Sequence, residues 1–116
     1  MRRLGAGLNR LDGAAIRALQ NRVRMVWDEP KRQRNLRPPP EGHGLDFADA
    51  QARFEWDTAL VSETHASKTG GRRFKAVGFL DLQLVTLTFA VLGTEAVSAI
   101  SLRPASRKER MAYDDA

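Results

Sequence analysis

The ten-residue run Gln83–Leu92 (QLVTLTFAVL) carries apolar side chains on both faces of an extended strand. A strand with one wet face alternates apolar and polar; this one does not, so it belongs at the centre of a sheet covered on both sides. With 116 residues, the chain supports one core and no second domain's worth of packing. The covers for the two sheet faces must therefore come from short segments before and after the strands.

Those segments can be read. Phe74–Phe79 and Gln83–Leu92, separated by Leu80-Asp81-Leu82, predict a hairpin, and Gly93-Thr94 makes a second turn before Ala96–Leu102. Ala59–Glu63 reads as an earlier strand, and Met25-Val26-Trp27 as a short edge strand. Asp28 is placed as a helix N-cap, with Glu29 and Pro30 in the first turn of a helix that reaches Asn35 or Leu36. Pro38-Pro39-Pro40 ends it, and Gly42-His43-Gly44 continues as loop. Asp46 caps a second short helix with Phe47, Ala50 and Phe54 on one face. Pro104 stops the last strand. Ser106 and Glu109 then form a capping box, opening a helix from Arg107 towards Asp114. That helix begins basic and ends acidic, against the order the macrodipole favours. The expected class is α+β: a small antiparallel sheet with two short N-terminal helices packed on it and a C-terminal helix.

Composition narrows the chemistry. The chain has no cysteine, which excludes disulfide scaffolds, thiolate nucleophiles, iron–sulfur clusters and the usual structural zinc sites. The net charge of +5 suggests a polyanionic partner. However, residues 1–24 hold six Arg against Asp12 alone, whereas residues 25–116 hold 13 basic and 13 acidic side chains. Residues 1–24 read as a basic extension, with Leu8, Leu11, Ala15, Leu19 and Val23 at the spacing of an amphipathic helix. Residues 25–116 read as the domain proper, which must meet any nucleic acid through a local patch. The longest apolar stretch, Ala76–Leu92, is interrupted by Asp81, Gln83, Thr86 and Thr88 and is too short and polar to span a bilayer. No signal peptide is evident, and no membrane partner is expected. The expected location is the cytoplasm.

Four pieces, in order, carry a resemblance: Met25–Asn35 (MVWDEPKRQRN); His43–Ala50 (HGLDFADA); Arg73-Phe74 with Val77-Gly78; and Ile100–Tyr113 (ISLRPASRKERMAY). Together they resemble the BrnT family, the RelE-like ribonuclease toxins of type II toxin–antitoxin pairs. The likeness runs from Met25 to about Asp114, and Met25 would be a natural start for such a domain. It implies a RelE-like fold and a metal-independent endoribonuclease that acts on mRNA, needs no cofactor and inhibits growth. It also implies a ribbon-helix-helix antitoxin as partner, with operator DNA contacted only through that antitoxin.

Metal-free RNA cleavage needs a base for the 2′-OH, cations for the phosphorane and an acid for the leaving oxygen. The resemblance assigns catalytic roles to Arg73, Arg103, Lys31 and His43. Arg73 and Arg103 fall at strand ends that can converge on one phosphate, Lys31 can hold a flanking phosphate, and His43 can move a proton. Arg72, Arg107 and Lys108 are the candidates for RNA backbone contact. By residue type alone, each of these is equally a solvated surface charge. Glu109 is accounted for by the capping box, and Trp27 and Phe47 by the core.

The chain departs from the family pattern in three places. Pro38–Gly42 lengthens the turn after the first helix and puts Gly42 where a lysine is expected. Phe89-Ala90-Val91-Leu92 replaces a His or Tyr, Thr and a basic residue, and Ser98 replaces an arginine. These changes leave a second function open: a catalytically weakened homologue that binds the antitoxin and regulates the operon.

Overall fold

The computed structural model describes residues 24–65, 71–93 and 96–116. The helix expected over the basic extension lies outside them. Five strands, β1 (Arg24–Val26), β2 (Leu60–Thr64), β3 (Arg73–Leu80), β4 (Gln83–Leu92) and β5 (Ala96–Pro104), form one sheet in the order β1-β5-β4-β3-β2. Three α-helices accompany it: α1 (Glu29–Leu36), α2 (Phe47–Arg53) and α3 (Arg107–Asp115), with a short 3-10 turn at Trp56–Thr58.

The QLVTLTFAVL run is the central strand, as its two-sided pattern requires. Leu84, Val85, Thr86, Leu87 and Phe89 are all buried. Burial fails at the two ends of the strand, where Gln83, Val91 and Leu92 are exposed. One face carries the larger core: Phe47, Ala50 and Phe54 pack on Phe74, Leu80, Leu87, Phe89, Ala99 and Leu102. Phe89 stacks on Phe74 at 5.7 Å and meets Trp56 edge-on at 5.3 Å. On the other face, Leu60, Val77 and Leu84 receive Tyr113 of α3, which meets Phe79 edge-on at 5.8 Å. The sheet is thus covered by the segments on either side of it in sequence.

Strands β2 to β5 are antiparallel neighbours, but β1 joins β5 in parallel, pairing Arg24 with Ala96 and Val26 with Ser98. The sheet is therefore mixed rather than wholly antiparallel. Asp81 and Leu82 form the two-residue turn between Leu80 and Gln83, with Asp81 at φ 57°. An aspartate tolerates that left-handed backbone better than most residues.

The capping signals all appear. Asp28 accepts from the Lys31 N–H and Asp46 from the Ala48 N–H. Asp46 also receives the Arg32 guanidinium through Nε at 2.7 Å and Nη2 at 2.9 Å, which ties α1 to the start of α2.

Strand β1 covers only the first residues of β5, and beyond it a side chain takes over. Asn35, buried on α1, donates from Nδ2 to the carbonyls of Leu102 and Leu45, each at 2.8 Å. Its Oδ1 accepts from the Leu102 N–H at 3.2 Å. The amide thus pairs with Leu102 as a neighbouring strand would. Replacement by alanine strands the buried carbonyl and N–H of Leu102 and the half-buried carbonyl of Leu45. Asn35→Ala is expected to lower unfolding stability by roughly 2–3 kcal/mol, measured by urea denaturation. A change below about 0.5 kcal/mol, the scale of an ordinary surface substitution, would contradict this account.

Candidate nucleic-acid site

The site is assembled from three separate pieces of chain. Lys31, Arg34 and Asn35 occupy one stripe of α1, at spacings that share a helix face. Asn35 fixes that stripe against β5, so the two cations stand beside the sheet's rim. The loop after α1 folds back over the helix end: the Gly42 N–H donates to the Pro38 carbonyl at 3.3 Å, His43 N–H to Asn35 at 3.0 Å and Gly44 N–H to Arg37 at 2.9 Å. These bonds satisfy carbonyls that a helix C-terminus leaves unpaired. Gly44 sits at φ +68°, where glycine has no steric cost.

The loop thereby closes one wall of a recess of about 340 Å³. Lys31, Arg34, Glu41, His43, Arg73 and Ile100 line it, with Asn35 at its base. Of the four residues to which the resemblance gives catalytic roles, Lys31, His43 and Arg73 meet here. Arg103 does not line the recess. Sequence reasoning missed Arg34, although its place three residues after Lys31 puts it on the same helix face.

Arg103 is held elsewhere on the sheet, and a backbone irregularity explains why. Ala99 pairs with Phe89 and Ser101 with Thr88, so Ile100 is left over as a bulge. Val97 and Ala99 point into the larger core, and so does Leu102. Strict alternation from Ala99 would bring Arg103 to that apolar side. The extra residue reverses the parity and turns Arg103 towards α3.

There it meets Glu109. Arg103 Nη1 donates to Oε1 and Nη2 to Oε2, both at 2.7 Å. Thr86 Oγ1 adds 2.8 Å, Ser106 N–H 2.8 Å and Lys75 Nζ 3.2 Å. Lys75 was also missed, though it lies two residues after Arg73 on the same side of β3. Glu109 does more than complete the capping box. Burial alone would push its carboxyl up, but the Arg103 fork, Ser106, Thr86 and Lys75 together hold it well below the usual carboxylate range. The same pairing raises the Arg103 guanidinium.

The remaining candidates are peripheral. Arg72 places its fork on Glu63 at 2.7 and 2.8 Å and lies 5.3 Å from the centre of the Phe74 ring. Arg107 and Lys108 are exposed at the start of α3. Phe89, one of the departures from the family pattern, belongs to the core on the opposite face from Lys75. Ser98 is half-buried and pairs with Ala90. Among the described residues, no three His, Asp or Glu side chains gather as a metal site, and no helix is long and apolar enough to cross a membrane.

A mixed sheet with a recess at its rim, lined by Lys31, Arg34, Arg73, His43 and Glu41, defines a small α+β domain. The family model for the ribonuclease toxin BrnT of type II toxin–antitoxin systems matches residues 27–109, and the chain belongs to that family. It is similar to the Brucella abortus ribonuclease toxin BrnT, known from a 1.1 Å crystal structure. The two are 37% identical with a TM-score of 0.56, and the match covers 73% of this chain and 99% of that one. No curated protein matches. A toxin of this family has an RNA substrate and an antitoxin partner.

Two outcomes follow from the geometry. A Cβ on Gly42 would collide with the backbone carbonyls of Arg34 and Arg37, so Gly42→Lys is expected to destabilise the fold by roughly 1–3 kcal/mol. A thermal melt at or above the parental midpoint would refute this. Because the Glu109 carboxyl is depressed in the folded state, its contribution is present above the ordinary carboxylate range and lost as pH falls through and below that range. Urea midpoints followed downward from about pH 5 should fall less steeply for Glu109→Gln than for the parent.

Proposed function

We propose that the chain is an mRNA endoribonuclease that cleaves by attack of the 2′-OH on the adjacent phosphate, without a metal ion. The observation that carries this reading is the recess itself, where Lys31, Arg34, His43 and Arg73 converge from a helix, a loop and a strand. Arg73 and Lys31 hold the scissile phosphate and stabilise the charge that builds on its oxygens. The imidazole of His43 takes the 2′-OH proton. The 2′-oxygen bonds to phosphorus, the bond to the 5′-oxygen breaks, and a proton from solvent completes the leaving hydroxyl. The products are a 2′,3′-cyclic phosphate and a 5′-hydroxyl. In this reading Arg107 and Lys108, exposed at the start of α3, follow the flanking backbone, whereas Arg72 is already engaged with Glu63.

The partner under this proposal is a ribbon-helix-helix antitoxin that neutralises the nuclease in the cytoplasm and alone contacts operator DNA. Two uncharged residues, Ala90 and Ser98, pair at the row of the sheet next to Arg73. They favour one further reading, a weakened nuclease retained to bind the antitoxin.

Cleavage of a defined mRNA by the purified chain in excess EDTA tests the mechanism. Lys31→Ala, His43→Ala and Arg73→Ala are each expected to lower the rate on the order of 100-fold and to relieve growth arrest on induction. Strict dependence on a divalent cation, or parental rates in all three variants, would sink it. Absence of cleavage together with a stable antitoxin complex would select the second reading.

A further inference from the structure

Glu109 takes no part in the reaction assigned to the recess, yet its carboxylate is the most heavily bonded group on the α3 side of the sheet. It accepts from five donors, and its side chain is only 10% exposed. A capping box requires one of those contacts, the bond from the Ser106 N–H. The other four come from β3, β4 and β5. They gather two cations, Lys75 and Arg103, around one anion and leave a local surplus of one positive charge.

The way Arg103 is held determines what it can still do. Glu109 occupies the Nη1/Nη2 end of the guanidinium, and Nη1 also reaches the Pro104 carbonyl at 3.3 Å. The side edge, formed by Nε–H and the second N–H of Nη2, meets no acceptor among the described residues. Lys75 Nζ donates to Glu109 alone among them, leaving two N–H groups. The side chains of Arg103 and Lys75 remain 32% and 34% exposed, so a ligand from solvent can reach both. Hydroxyls fill the ladder between them: Lys75 pairs with Thr88, Thr88 with Ser101, and Arg103 with Thr86.

We propose that Lys75 and Arg103, fixed in place by Glu109, form a second phosphate subsite for single-stranded RNA, next to the recess. The proposal rests on the reading of the chain as an RNA-cleaving protein. The side edge of Arg103 binds two oxygens of one phosphodiester, and Lys75 adds a point charge. Arg73 and Lys75 lie on the same side of β3, two residues or about 6.6 Å apart. That span suits successive phosphates of one extended strand. Continuity with the recess, whose ligand in the reading above is RNA, makes RNA rather than an acidic peptide the favoured ligand. Glu109 is a positioning residue here: it touches no substrate, but aims the fork that does.

The test uses the full chain and a 2′-O-methyl RNA oligonucleotide, which cannot be cleaved, with binding followed by fluorescence anisotropy across a salt series. Lys75→Met and Arg103→Met should each weaken binding about tenfold at low salt. Each should also reduce the slope of log affinity against log salt by about 0.7, the value for one single-strand phosphate contact. Glu109→Gln adds positive charge to the site, so simple electrostatics predicts tighter binding, whereas loss of positioning predicts weaker binding. Arg103→Lys keeps both the charge and a partner for Glu109. It should still bind several-fold more weakly with an unchanged slope, and this variant decides the matter if Glu109→Gln does not fold.

Parental slopes in both methionine variants, tighter binding by Glu109→Gln, or parental affinity in Arg103→Lys would each overturn the subsite. So would a methionine variant that loses the antitoxin but binds RNA as the parent does. Failure of the recess is distinguishable, because it shows in cleavage by the Lys31 and Arg73 variants and leaves these slopes intact.

Discussion

The amide of Asn35 is the contact on which the geometry of this protein turns. By pairing with both backbone groups of Leu102 it continues the sheet where β1 stops. Its third bond, to the Leu45 carbonyl, holds the start of the segment that leads into α2. Its own carbonyl receives the N–H groups of His43 and Leu45. One buried residue thus sets the height of Lys31 and Arg34 over the rim, the path of the loop bearing His43, and the position of β5. A polar side chain inside a small core is costly unless every hydrogen-bonding group is used. Here both donors and the acceptor are engaged, and no buried side-chain nitrogen or oxygen among the described residues lacks a partner.

The two groups of cations on the sheet are held in different ways. Those at the recess stand on a helix, a loop and a strand end, and backbone hydrogen bonds position their carriers. Lys75 and Arg103 are positioned by side chains, through a carboxylate whose pKa burial raises and whose donors bring it well below the usual carboxylate range. The first arrangement leaves its charges open to solvent and to substrate. The second narrows the freedom of its charges, so a ligand that arrives meets groups already oriented.

Much of the fold was legible in the chain because its signals are local. The two-sided apolar pattern of Gln83–Leu92, the caps at Asp28 and Asp46, the proline stop and the Ser106–Glu109 box each depend on a few neighbouring residues, and each appears. The parallel pairing of β1 was not legible, since no local pattern in a three-residue strand states its partner's direction. The resemblance singled out residues but not their arrangement. Lys31, His43 and Arg73 share a recess, while Arg103 lies outside it, because a bulge at Ile100 leaves no mark in residue type. Arg34 and Lys75 were within reach of simple periodicity, one turn from Lys31 and one pleat from Arg73. Gly42, read as a departure from the family, is a residue that the lengthened loop requires.

The bulge has a consequence for how this sequence can vary. Between Val97 and Arg103, β5 holds one residue more than its pairing with β4 uses. Removing one would let the bulge at Ile100 close: Ala99 and Ser101 would still pair with Phe89 and Thr88, Leu102 would stay in the core and Arg103 would still face α3. Lengthening of the Pro38–Gly42 loop shifts nothing downstream, because the chain is pinned again at Asn35 and Asp46. Ile100 is thus spare to the ladder, and its side chain lines the recess instead.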